Sequence, residues 1–328
     1  MTTFRSRHRG PRLALALFFL SPLVGEYLLA NTPITDLASL FLLAPMYGGG
    51  ALLIRETARR SGRGWPAMIL FAAAYALLEE GPIDMMLWNL HYGGVDMAAA
   101  YQGTAIPFLG TSGQLLEDTL AVHVIWSISV PIALVETFSD DRTRPWLGRK
   151  GLTVVAVLFV LAASVLSAAQ IADSGFAAAP ADLAWCAAVI AGLIALGFAA
   201  GRRPAPRRDT SDPPPWVAGT AAFAVTTLYW LRDSLPGPRW LVVGAGCALF
   251  AAGAALCARW SRSCSWRAAH RLALAGGALL TYVWLGVLNA RALPVPPAAA
   301  VSGNVIFGTG AIVMLLLAAR RAGRLQSG

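Results

Sequence analysis

Ten apolar stretches, each about as long as a bilayer is thick, constrain this chain more than any other feature. They recur at 13–30, 37–58, 65–88, 114–137, 152–172, 182–200, 216–235, 239–258, 271–290 and 300–319. A hydrocarbon core of about 30 Å takes roughly 20 residues of helix, so each run is an expected span. The fold class that follows is all-α, a polytopic transmembrane bundle of about ten helices. Composition agrees: 57% of the residues are apolar and 13% charged, against about 25% charged in soluble domains. So much apolar surface exceeds what one soluble core hides. A soluble enzyme, a disordered chain and a disulfide scaffold are excluded, and the lipid bilayer is the first partner expected.

The formal net charge of +9 raises the question of nucleic acid. The placement of the charges removes nucleic acid as a partner. The basic residues are 25 arginines and Lys150, and 23 of the 26 fall in clusters on alternate connections and at the two ends. Only Arg232, Arg239 and Arg291 fall on the other side. Basic residues concentrate in cytoplasmic loops. The expectation is a multi-pass protein of the cell (plasma) membrane with both termini cytoplasmic. A basic start, an apolar stretch and small residues near Ala30 also fit a signal peptide, while Pro22 and Glu26 inside the run argue for a retained helix. Cys186, Cys247, Cys257 and Cys264 show no metal-type spacing and are expected as free thiols.

Residues 1–150 form an N-terminal transmembrane half, 151–200 connecting helices, 201–215 a Pro- and Arg-rich linker, and 216–328 an apolar four-helix half. The longest external loop, 89–113, has no Lys or Arg, and its aromatic and apolar residues suit packing onto the membrane face as a lid.

All six glutamates lie in the first 136 residues: Glu26, Glu56, Glu79, Glu80, Glu117 and Glu136. At 1.5 Å per residue, Glu79 and Glu80 lie roughly 20 Å above the cytoplasmic start of their helix, and His123 lies roughly 13 Å below the outer start of the next. Glu26, Glu79, Glu80, Asp84, Glu117, Asp118 and His123 are therefore expected at one level near the outer leaflet. Carboxylates at membrane depth are costly, about 2.5–3.5 kcal/mol each at midplane, and mark function. Adjacent helix positions point about 100° apart, so Glu79 and Glu80 are not expected to face a single partner. Pro82 favours a kink beside them. His123 and Ser127 share a helix face. Glu117 and Asp118 suit solvated caps, Glu26 an interface anchor, and the external arginines a neutralising network. His8 and His270 read as surface residues of basic segments. Glu56 and Glu136 belong to the arginine-rich ends.

The acid–base candidates are Glu79, Glu80 and His123. Glu26, Asp84, His91 and Ser127 are candidates for substrate contacts or the lid, with His91 able to fold down from its loop. Glu80 with His123 is also a pair that suits a divalent metal such as zinc, and the cofactor stays open. Three roles remain: an intramembrane hydrolase of peptide, lipid or another small substrate, a secondary transporter whose carboxylates carry protons or a cation, and a scaffold without chemistry.

The segment Tyr75-Ala76-Leu77-Leu78-Glu79-Glu80, followed on the next helix by His123, resembles the prenyl-protein (CAAX) protease and bacteriocin-processing family of intramembrane proteases. The resemblance implies that Glu79 or Glu80 polarises a water and that His123 assists. This chain has Asp84 and Thr119 where that family carries Arg and Phe, and no later intramembrane histidine. Phe19–Pro22, Tyr47–Glu56 and Trp126–Pro131 are similar to stretches of an uncharacterised group of prokaryotic multi-pass proteins, which implies no activity.

Overall fold

A computed structural model describes residues 9–92, 97–200 and 213–324. Among these residues the chain forms ten long helices. We label them α1 (Gly10–Leu28), α2 (40–60), α3 (Trp65–Ile83), α4 (Gly113–Glu136), α5 (Arg149–Ser174), α6 (Pro180–Ala199), α7 (Pro215–Leu231), α8 (Arg239–Trp260), α9 (Ala268–Asn289) and α10 (Pro297–Arg324). Eight are long and apolar enough to cross a membrane. The other two fall short for visible reasons. α2 carries Arg55, Glu56, Arg59 and Arg60 in its last turns, and α7 has 17 residues.

The helix ends follow local chemistry. Ser112 caps α4, its hydroxyl accepting the Leu115 N–H at 3.1 Å. Gly175, at φ +64°, closes α5 in the left-handed region that glycine adopts freely. α3 stops at Ile83, five residues short of the apolar run, where the backbone turns left-handed at Met85, φ +57°. Of the linker, 201–212 lie outside the described residues, as does His8. His270 is a correction: it is buried. It stacks on Trp266 at 4.8 Å, and its Nδ1 accepts the Arg267 N–H at 3.1 Å, which fastens the first turn of α9. All four cysteines are free.

Three apolar clusters hold the bundle. The first joins α1–α5 around Leu17, Met46, Met68 and Ile132. The second joins α1 and α4 to α7, α9 and α10. At its centre the Trp126 indole stacks on Tyr282 at 4.4 Å and donates to the Ala278 carbonyl at 2.8 Å. The third packs α3 and the described parts of the connection, 84–92 and 97–112, on α6. There the Trp88 and Trp185 indoles both donate to the Leu109 carbonyl, at 3.1 and 3.2 Å. A two-residue hairpin pairs Ala105–Ile106 (β1) with Thr111–Ser112 (β2).

The arginine-rich end is tied by buried ion pairs. Glu136 on α4 accepts from Arg55 at 3.0 Å and from Arg59 at 2.7 Å, both on α2. Arg55, completely buried, also meets Glu56 at 2.6 Å, the Arg142 and Arg144 carbonyls at 3.0 Å, and the Trp146 ring. Glu56 in turn accepts the backbone N–H of Trp146 at 2.8 Å. This network fixes the α4–α5 connection to α2 and leaves the opposite end of the first four helices to the remaining carboxylates.

Candidate functional site

The first four helices share a departure from regular winding. Each contains a π-helical segment: Leu23–Leu28 in α1, Ala44–Gly48 in α2, Glu79–Ile83 in α3 and Val122–Ser129 in α4. Among the described residues no other helix has one. Such segments make up well under 1% of residues in proteins and concentrate at functional sites. A proline accompanies every segment: Pro22 just before the first, Pro45 and Pro82 inside the second and third, and Pro131 two residues after the fourth. Proline removes a backbone donor and crowds the carbonyl four residues back, which releases the regular ladder. The Ser127 carbonyl, which has no N–H at Pro131 to meet, accepts the Ser21 hydroxyl instead.

These four segments carry the polar residues that meet. His123 sits between the two adjacent glutamates. Its Nε2 is 2.8 Å from Glu80 Oε1 and its Nδ1 is 3.0 Å from Glu79 Oε2. Ser127 Oγ approaches Nδ1 at 3.4 Å. From α2, the Tyr47 hydroxyl donates to Glu26 Oε1 of α1 at 2.6 Å. The rings of Tyr47 and Tyr75 flank the imidazole at 6.0 and 6.1 Å. Glu79, Glu80, His123 and Ser127 are all buried. At the open end of α3, Tyr92 donates to Asp84 Oδ2 at 3.1 Å. Burial, then the Asp84 carboxylate, push the Tyr92 phenol well above its ordinary range, so it stays a donor.

The structure corrects the expectation that two neighbouring glutamates face different partners. Both meet one imidazole. The ring offers nitrogens on two edges, and π winding changes the angle between successive side chains from its α-helical value. The Nε2 edge hydrogen-bonds Glu80, while Glu79 Oε2 stands at ion-pair distance from Nδ1 without hydrogen-bond alignment.

Other expected members fall elsewhere. His91 is exposed, its backbone N–H held by Asn89 Oδ1 at 3.0 Å, and it does not fold down. Glu117 and Asp118 are not solvated caps of this cluster. They meet the buried Arg232 at 3.3 and 2.6 Å and bind α4 to α7. Arg239 pairs with Asp233 at 3.3 Å, and Arg291 is exposed. The external arginines therefore do not neutralise Glu79 and Glu80. Among the described residues, Glu79 and Glu80 have His123 as their basic neighbour at ion-pair distance, while Glu26 and Asp84 are held by the Tyr47 and Tyr92 hydroxyls. Glu26 is no bare interface anchor, since Tyr47 holds it inside the bundle.

For a metal on Glu80 and His123, the geometry offers little. Both ring nitrogens already face carboxylates. Among the described residues no three His, Cys, Asp or Glu side chains are arranged to hold an ion. Tyr47, Tyr75 and Tyr92 are members that charge and histidine patterns do not reveal. The signal for Tyr75 is its position one turn before Glu79, and for Tyr47 the neighbouring Pro45 and the glycines that follow.

The chain matches the model of an uncharacterized membrane protein family over residues 15–231. The match covers about two thirds of the chain and includes every residue of the cluster. Comparison with curated proteins and with solved structures gave no match.

Proposed function

The chain belongs to this uncharacterized membrane protein family, a multi-pass integral membrane protein, and within that family we propose that it is an intramembrane hydrolase whose acid–base centre is Glu79, His123 and Glu80. One observation carries the reading: a buried imidazole held by two adjacent glutamates, in a bundle where the available arginines pair with other acids. Buried carboxylates with an imidazole between them are the equipment of general acid–base catalysis. The asymmetry of Arg and Lys supports a centre toward the outer leaflet.

The chemistry assigns each group a task. His123 holds Glu80 Oε1 through Nε2, and Glu79 holds the ring at Nδ1. Glu80 Oε2 is then the atom that takes a proton from water. The hydroxide oxygen bonds to the carbonyl carbon of a peptide or lipid ester. As the bond to the leaving nitrogen or oxygen breaks, Glu80 returns its proton to that atom. Ser127 steadies the ring, while Glu26 and Asp84 hold the rim of the site. The 84–112 connection, tied down at Leu109, acts as the lid.

The test uses purified protein in liposomes with two probes, a quenched fluorescent casein and a quenched fluorescent phospholipid. Wild type turns over one of them, and Glu80→Gln and His123→Ala each lower kcat about 100-fold or more. Equal turnover by wild type and both variants, or no turnover by wild type, refutes the reading. A second reading rests on a separate observation. Two carboxylates meet one imidazole, and Glu26 and Asp84 are held by tyrosine hydroxyls, with no Arg or Lys at ion-pair distance among the described residues, which suits a proton carrier. It requires proton flux into dye-loaded liposomes that Glu80→Gln abolishes.

A further inference from the structure

Two buried polar atoms at the centre of the cluster make no hydrogen bond within the protein: Tyr75 Oη and Glu80 Oε2. A third, Glu79 Oε2, lies 3.0 Å from His123 Nδ1 without hydrogen-bond alignment. All three belong to α3, Tyr75 lying one turn before the glutamate pair. Leaving a buried donor or acceptor unsatisfied costs about 1–3 kcal/mol, and more for a charged group. Native interiors rarely leave such groups without a partner, and an ordered water or an ion is the usual complement.

The Tyr75 side chain is well fixed. It is 95% buried, with its ring edge-on to His123 and to Tyr47, at 6.1 and 6.5 Å. Its place on α3 faces Gly50 of α2, where a Cβ would collide with the Tyr75 ring. The absence of a side chain at 50 is what lets the phenol reach the level of His123. A phenol gives one donor and an acceptor to whatever it meets, and the carboxylate oxygens accept. Three polar partners in a buried place are what one ordered water requires.

We propose that Tyr75, together with the free carboxylate oxygens of Glu79 and Glu80, holds an ordered water beside His123, and that Tyr75 is a positioning residue for it. Its role in turnover rests on the hydrolase reading, in which this water is the nucleophile; its binding does not. Tyr75 Oη donates to the water oxygen, and the two water hydrogens point at Glu79 Oε2 and Glu80 Oε2. The base and the atom it deprotonates are thereby aligned before substrate arrives.

Infrared difference spectroscopy of the protein in lipid films, in H2-16O against H2-18O, reads the water directly. Wild type is expected to show an isotope-sensitive O–H band of a strongly bound water. Tyr75→Phe loses the band and Glu80→Gln shifts it, so that Glu80→Gln decides the matter if Tyr75→Phe does not fold. Where a probe is turned over, Tyr75→Phe lowers kcat at least tenfold and leaves KM unchanged. A wild type without the band, or a band indifferent to both substitutions, overturns the proposal. So does a band that follows replacement of sodium by choline, which would make the occupant an ion. A retained water band with neither casein nor phospholipid turned over refutes the hydrolase reading and leaves the water site standing.

Discussion

Removing Glu136 should destabilise the bundle severely, and the size of the effect follows from its contacts. Its two oxygens accept from Arg55 Nε at 3.0 Å, Arg59 Nε at 3.0 Å and Arg59 Nη2 at 2.7 Å. The side chains involved are 0–4% exposed. At such burial a charge that loses its partner costs about 3–5 kcal/mol, well above the 0–1 kcal/mol of an exposed pair. The two arginines do not suffer equally. Arg55 keeps Glu56 and the carbonyls of Arg142 and Arg144, so it stays compensated. Arg59 has Glu136 as its ion-pair partner, so the loss concentrates there. Glu136→Ala is therefore expected to lose about 3–5 kcal/mol, Arg59→Ala less, and the double variant no more than Glu136→Ala alone. Equilibrium unfolding in mixed dodecyl-maltoside and SDS micelles measures all three. A loss below about 1 kcal/mol for Glu136→Ala would mean that the network is screened like a surface pair, and the argument from burial would fail.

Further expectations are simpler. Gly50→Val forces the Tyr75 ring aside, so unfolding titrations should show a loss of about 1–3 kcal/mol from overpacking; unchanged stability would mean the ring is not fixed there. Trp126→Phe removes the 2.8 Å bond to the Ala278 carbonyl, which keeps its helical partner within α9, for an expected loss of about 0.5–1.5 kcal/mol by the same assay. Cys264 is exposed in an arginine-rich connection and Cys186 is buried. A membrane-impermeant maleimide should therefore label Cys264 in inverted vesicles and not in intact cells, with Cys186 unlabelled in both. Labelling of Cys264 in intact cells would reverse the topology.

The helices were legible because their signal is crude: runs of apolar residues and clusters of arginine. The end of α3 was harder, since the apolar run continues past Pro82 and the break falls at Met85, whose left-handed backbone no side-chain pattern announces. The cluster was legible in its charged members and illegible in its geometry. Depth arithmetic at 1.5 Å per residue brought Glu26, Glu79, Glu80 and His123 to one level correctly, and placed Glu117 and Asp118 there too. Rotation about the helix axis separates them, and Arg232, more than a hundred positions away, captures the second pair. The rule of 100° per residue did not keep Glu79 and Glu80 from one partner, because the His123 ring offers each a nitrogen on a different edge. Each π segment has a proline in it or within two residues, beside Glu26, Tyr47, Glu80 or Ser127. That coincidence, read along the sequence, is the cue that would have located the non-standard winding.

The shared Leu109 carbonyl ties the roof of the cluster to a helix that holds no charged residue past its first turn. Trp88 follows α3 and Trp185 belongs to α6, so one oxygen is the hinge point between the connection and two helices. On the hydrolase reading, entry from the lipid depends on how α6 leans on α3, where Phe71 and Phe198 meet at 5.1 Å. A genetic screen for altered access should accordingly recover substitutions along α6, far from any acid, as well as in the cluster itself.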